Sequence, residues 1–208
     1  MPVIAIDGPA GAGKSTVARV VAAKLGLQYL DTGAMYRSVA LAALRAGCDP
    51  EDSGGVASVA ALAAIELGPA DIVELDGEDV TDAIRTEAVS RAVSSVAAHP
   101  DVRREMVRRQ RAWLDENGGG VLEGRDIGTV VVPEAEVKVF LVADLSERAR
   151  RHEIAHGEGV AGDIVRRDTA DAGRKVSPMK RADDAVEIDT THMTVDDVVA
   201  AIIELVER

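Results

Sequence analysis

Apolar residues recur along this chain in two periods, one of strands and one of helices. Positions 3–7, Val3-Ile4-Ala5-Ile6-Asp7, make a short apolar run closed by Gly8, which predicts a buried first strand. Positions 14–25 then put Val17, Val20, Val21 and Leu25 at helical spacing, with Gly26 as the stop. A second strand is predicted over 27–31 and a second helix over 34–46, stopped by Gly47. The Ala-rich stretch 56–63 suits a short helix. Short strands are predicted over 64–67 and 72–75, with turns at Gly68-Pro69 and Asp76-Gly77.

Helical patterning returns over 81–96, and Asp101 is placed to cap a longer helix that runs to about 116 and ends in the glycines after Asn117. Residues 121–123 read as a strand ending at Gly124, and 137–143 is the clearest buried strand. Ser146 is placed to cap an Arg-rich helix. A last strand over 185–189 precedes a closing helix over 194–206, whose apolar side carries Val195, Val198, Val199, Ile202, Ile203 and Val206. Strands alternating with helices predict βαβ units: an α/β fold with a five-stranded parallel sheet and helices on both faces. Residues 49–96 break that rhythm and read as an insertion between core segments 1–48 and 97–208.

Composition narrows the picture. Of 208 residues, 47% are apolar but only four are aromatic (Tyr29, Tyr36, Trp113 and Phe140), so the core must be aliphatic. The formal net charge of −12 argues against broad binding to nucleic acid, which needs a basic surface, and the lack of aromatics removes a base-stacking platform. One cysteine, Cys48, supports neither a disulfide framework nor a cysteine zinc site. No basic leader and no membrane-length apolar run is seen, so a soluble, cytoplasmic protein is expected. The charge is uneven: residues 49–90 hold 11 acids and one base, whereas 145–181 hold nine bases and six acids. A basic segment in an acidic chain suggests an anionic ligand nearby, although such runs are usually solvated helix faces.

The chemistry enters at Gly8-Pro9-Ala10-Gly11-Ala12-Gly13-Lys14-Ser15, a full GxxxxGK[ST] match with a strand before it and a helix after it. Backbone N–H groups of such a loop turn toward phosphate oxygens, Lys14 adds charge against the β- and γ-phosphates, and Ser15 can ligate Mg²⁺. With Thr16, these residues are the expected ATP site. A guanine-reading Asn-Lys-x-Asp motif is missing, since Asn117 is the only asparagine and lies beside a glycine run. A motor-type ATPase would be longer and would carry a distinct acidic Walker B strand, and no strong one is visible. Small-molecule kinases remain.

A phosphorylated acceptor needs several cations, and arginine's planar fork suits phosphate. Three arginine clusters follow structural boundaries: Asp31-Thr32-Gly33-Ala34-Met35-Tyr36-Arg37, Glu123-Gly124-Arg125-Asp126-Ile127-Gly128, and Arg167-Asp168-Thr169-Ala170-Asp171-Ala172-Gly173-Arg174. Ligands of open α/β sheets sit at the carboxyl ends of strands. In this order, and with Gly77-Glu78-Asp79-Val80-Thr81 and Ile84-Arg85-Thr86, the motifs resemble the bacterial cytidylate kinase family from about residue 3 to the last helix.

That resemblance implies transfer of the γ-phosphoryl group of Mg-ATP to CMP or dCMP by a monomeric P-loop kinase. It implies that 49–96 is a small nucleoside-monophosphate-binding domain and that about 152–178 is an Arg-rich lid, with glycines near 157–162 as hinges. It assigns Arg37, Arg125 and Arg174 to the CMP phosphate, and Arg167 and Asp171 to the ribose, with Arg167 also able to reach phosphate. Ser94, Arg103 and Asp126 fall to the cytosine edge, Thr32 and Tyr36 to the acceptor pocket, and Lys14, Arg125, Arg167 and Arg174 to charge stabilisation during transfer. Plainer roles compete: Ser94 as a small surface residue, Arg104 in place of Arg103, Tyr36 as core, and Asp126 as a metal-shell acid or an ion-pair partner of Arg125. The chain differs from the family pattern in a short 152–166 segment, in Ala170 where some relatives carry arginine, and in Glu123 where aspartate is common. His99, His152, His156 and His192 are isolated and read as surface or capping residues. Two other functions stay open: a kinase for UMP, AMP, a coenzyme precursor or a small alcohol, and an ATP-binding regulatory module.

Overall fold

A computed structural model describes residues 1–68, 71–156 and 161–208. The chain forms two compact units, one of residues 1–30 and 113–208 and one of residues 31–112.

The first unit is built on a sheet of order β2-β6-β1-β7-β8. Its strands are β1 (Val3–Asp7), β2 (Tyr29–Asp31), β6 (Gly120–Gly124), β7 (Val137–Val142) and β8 (Val186–Asp189). β1 runs parallel to β6, with Val3 opposite Gly120 and Asp7 opposite Gly124. It also runs parallel to β7, and β7 runs parallel to β8. A central strand is covered on both faces, which explains an unbroken apolar β1 with Ile4, Ala5 and Ile6 wholly buried. Helix α1 (Lys14–Leu25) brings Val17, Ala18, Val21 and Ala22 to the core, and α8 (Val195–Val206) brings Val198, Val199 and Ile202. Val20 and Leu25 pack at the margin of this cluster.

Gly8 is required where β1 opens into the phosphate loop. Its φ is +148°, and an added Cβ would fall onto the Leu141 carbonyl oxygen of β7. Helix α6 (Leu145–His156) follows β7, so Ser146 lies inside its first turn rather than at the cap. The Arg167–Arg174 stretch, part of the Arg-rich lid that the resemblance implies, belongs mostly to helix α7 (Ala161–Ala172) and is not a loop. Helical spacing sets Arg167 and Asp171 on one side of α7, and Arg174 follows two residues beyond its end. Gly157 and Gly159 lie outside the described residues, and so do the side chains of His152 and His156.

The second unit contains the 49–96 segment together with α2 (Thr32–Arg45) and most of α5 (Pro100–Asn117). Asp31 caps α2 by accepting from the Ala34 N–H at 2.9 Å. Asp52 caps α3 (Ser53–Leu62) in the same way through the Gly54 and Gly55 N–H groups. Strands β3 (Ile65–Leu67), β4 (Val73–Leu75) and β5 (Glu78–Asp79) form an antiparallel sheet. Asp76 and Gly77 turn it at φ of +53° and +80°. Pro69 of the other expected turn is outside the described residues.

The continuous helix expected over 81–96 is broken. A 3₁₀ turn over Ala83–Arg85 is followed by an extended Thr86 at the N-cap position of α4 (Glu87–Val96), whose hydroxyl donates back to the Ala83 carbonyl at 3.0 Å instead of capping the helix. α2 packs on both α3 and α4, burying Val39, Ala40, Val56 and Val89. Pro100 opens α5, a position that needs no N–H, so Asp101 sits within the first turn and pairs with Arg104 instead of capping. Among the described residues no helix is long and apolar enough to cross a membrane.

Thr194 and Asp197 form a reciprocal capping box at the start of α8. Thr194→Ala should therefore lower unfolding stability by about 1 kcal/mol in urea titration, with an unchanged slope. A loss below about 0.3 kcal/mol would show that the box contributes little.

Candidate active site

The phosphate loop leaves β1 at Gly8 and enters α1 through Gly13, which is left-handed at φ 91°. Lys14 is buried and donates from Nζ to the Pro9 carbonyl at 2.9 Å. Burial moves its pKa down to about 7, the neighbouring Arg125 guanidinium adds to the shift, and the carboxylates of Glu123 and Asp168 oppose it. Ser15 Oγ donates to Glu123 Oε1, which also accepts from the Tyr29 hydroxyl at 3.2 Å.

Glu123 is buried at the end of an apolar strand. The strand is too short for its sequence alone to mark this acid as the end of a buried apolar run. A hydroxyl facing a carboxylate is a pair of hard oxygen donors of the kind Mg²⁺ prefers. Among the described residues no group of three or more His, Cys, Asp or Glu forms a metal cage.

Two links tie the loop after β6 to the phosphate loop and the strand before it. Asp7 accepts from the Ile127 and Gly128 N–H groups at 2.8 and 2.7 Å. Burial pushes its carboxyl up to about 6 against these two hydrogen bonds, with Asp126 adding to the rise. Arg125 Nη1 donates to the Gly8 carbonyl at 2.7 Å. Residues Ile127–Val131 then form a π-turn, in which the Val131 and Val132 N–H groups reach back five residues to the Asp126 and Ile127 carbonyls.

Asp171 joins the arginines. Its Oδ2 accepts from Arg125 Nε at 2.8 Å, and its Oδ1 takes Arg174 Nη2. All three side chains are largely buried. Burial alone would raise the Asp171 pKa, but the two guanidinium groups outweigh it and hold the carboxyl below the usual range. Burial likewise opposes the Arg125 charge, and Asp171 overrides it. Arg125, Asp171 and Arg174 thus come together, Arg167 lies half-buried on α7 with its charge acting on both Asp171 and Lys14, and Asp126 is buried.

Thr32, Tyr36, Arg37, Ser94 and Arg103 belong to the unit of residues 31–112. Arg37 Nη1 donates to the Ile84 carbonyl at 3.1 Å and to Ser90 Oγ at 3.0 Å. Arg103 is buried, donates to the Ala97 carbonyl at 3.2 Å and stacks over the Tyr36 ring at 5.2 Å. Arg104 is exposed. Of the two arginines, only Arg103 faces the interior. Thr32 and Tyr36 are buried and Ser94 is half-buried.

A family model described as cytidylate kinase matches residues 4–208. The chain is 54% identical to a cytidylate kinase of Geobacillus thermodenitrificans, over 99% of this chain and 96% of that one. It is 51% identical to a cytidylate kinase of Bacillus pumilus, with the same coverage. A solved sugar kinase from Janibacter sp. HTCC2649 superposes with a TM-score of 0.54 at 12% identity, covering 100% of this chain and 95% of that one, a likeness of fold alone.

The pKa of Lys14 makes a direct prediction. In the ligand-free protein its side-chain carbon resonance should titrate near pH 7, against an ordinary value of 10.5. The charged form is the one disfavoured by folding, so this group's contribution to stability rises as pH increases from about 7 to about 10.5. Lys14→Met should remove that rise from the stability profile. A lysine midpoint above pH 9, or the same rise in the variant, would contradict this.

Proposed function

The chain belongs to the cytidylate kinase family, and from that premise we propose that it phosphorylates CMP and dCMP to CDP and dCDP with ATP as donor. The observation that carries the chemistry is the buried Arg125–Asp171–Arg174 cluster, tied to the phosphate loop through Gly8. Two arginines share one carboxylate, so the cluster stores positive charge in a dry place before any phosphate arrives.

The donor triphosphate binds the Gly8–Ser15 loop and Thr16, with Lys14 against its β- and γ-oxygens. Ser15 and Glu123, whose side-chain oxygens face each other, would hold Mg²⁺, which would supply charge neutralisation on the bound phosphates. Arg37, Arg125 and Arg174 bind the acceptor phosphate, and Arg167 serves ribose and phosphate. Asp171 serves the ribose while it holds its arginines. Ser94, Arg103 and Asp126 read the cytosine edge, with Thr32 and Tyr36 in the acceptor pocket of the nucleoside-monophosphate-binding domain. A phosphate monoester is already a competent nucleophile near neutral pH, so in-line transfer needs positioning and charge stabilisation rather than a strong base.

A panel of CMP, dCMP, UMP, AMP and shikimate with Mg-ATP tests the acceptor. CDP and dCDP should form fastest, and absence of CDP from CMP would sink the assignment. Binding of ATP without transfer to any acceptor would leave a regulatory module.

Arg37→Ala and Arg174→Ala should each lower kcat/KM for CMP by about 100-fold or more. Near-normal rates in steady-state assays would remove those residues from the site.

A further inference from the structure

The two carboxylates of the 167–174 stretch do different things. Asp171 holds the arginines, whereas Asp168 reaches the phosphate loop. Its Oδ1 accepts from the Ala10 N–H at 2.9 Å, and its Oδ2 takes Arg148 Nη1. The same Arg148 nitrogen donates to the Ala10 carbonyl at 3.0 Å. The N–H and C=O of one phosphate-loop residue are therefore each held by one member of an ion pair.

Arg148 is itself anchored. Its Nε donates to the Ala143 carbonyl at 3.1 Å, immediately beyond β7. Its backbone lies against Gly11, where an added Cβ would come within 2.6 Å of the Arg148 carbonyl oxygen. With side chains 13% and 15% exposed, the Arg148–Asp168 pair is screened less than a surface pair such as Arg150–Glu147, whose arginine is 61% exposed. Removing one partner leaves the other poorly solvated.

We propose that Asp168, acting with Arg148, is a positioning residue that sets α7 in register with the phosphate loop. It thereby fixes where Arg167, Asp171 and Arg174 stand relative to Lys14. Asp168 is next to Arg167 and one helical turn before Asp171, so a shift at Asp168 moves both. Small displacements of charge-stabilising groups are expensive in phosphoryl transfer, where alignment supplies much of the rate. The kinetic part of the test rests on the CMP kinase reading; the docking part does not.

Amide hydrogen exchange without nucleotides reads the docking. Asp168→Ala should speed exchange across 164–172 by about 10-fold or more and leave α1 and α8 unchanged. Unchanged protection of α7 overturns the proposal whatever the acceptor proves to be. With saturating ATP and CMP, Asp168→Ala should lower kcat about 10- to 100-fold, with KM for ATP moved less than about 3-fold.

Asp168→Asn should fall between wild type and Asp168→Ala, because its amide oxygen still accepts from Ala10 but offers Arg148 no charge. Asp168→Ala combined with Arg148→Ala should lose little more than the worse single variant, since the pair acts as a unit. Fully additive losses, or wild-type kcat in a folded Asp168→Ala protein, overturn it.

Discussion

Positive charge has to be stored beside the phosphate loop before a phosphate is there to neutralise it, and Asp171 is what makes this possible. Two buried guanidinium groups placed side by side would repel each other and stand poorly solvated. Giving each of them one oxygen of a single carboxylate leaves the trio with a net charge of one and a fixed orientation. The strand order depends on the same need. β1 lies between β6 and β7, so Gly8, Arg125 and the start of α6 all emerge at one edge of the sheet. An aliphatic core of Ile4, Ile6, Val121, Val139 and Leu141 lies beneath them.

Much of the fold is legible in the periods of the sequence. β1, α1, β7 and α8 follow apolar patterns long or regular enough to set their type, and their observed limits lie within a residue or so of the expected ones. The misses share a cause. β5 is two residues long, and its alternation cannot be told from a turn. The break at Thr86 comes from one extended residue inside a run with helical spacing, a backbone choice without an apolar signature. The π-turn after Asp126 depends on Asp7, far away in sequence, taking its first N–H groups.

The site divides in the same way. Lys14, Ser15, Arg125 and Arg174 stand in motifs whose spacing carries their chemistry. The partners of Glu123, Asp7 and Asp168 are not readable that way, even where the acid stands inside a motif, because each carboxylate bonds a group more than 100 positions away. An isolated acid in a sequence has many ordinary roles, and only the parallel register of β1 and β6 brings Glu123 to Ser15. Arg103 shows the intermediate case: the family resemblance pointed to one of two adjacent arginines, and on α5 Arg103 stacks over Tyr36 while Arg104 is exposed.

These acids also explain the electrostatic poise of the loop. Asp7 and Lys14 are both pushed toward their neutral forms by burial, at about 6 and about 7, so near neutral pH the ligand-free loop holds its charges at a cost. A phosphate group would change the sign of the balance at Lys14, since a nearby anion favours the ammonium form that burial disfavours. Asp7 gains nothing from such an anion. Its hydrogen bonds to Ile127 and Gly128 hold the loop after β6 instead. The fold therefore separates two tasks within a few residues: Asp7 fixes backbone, and Lys14 carries a charge that burial disfavours and that a nearby anion would restore.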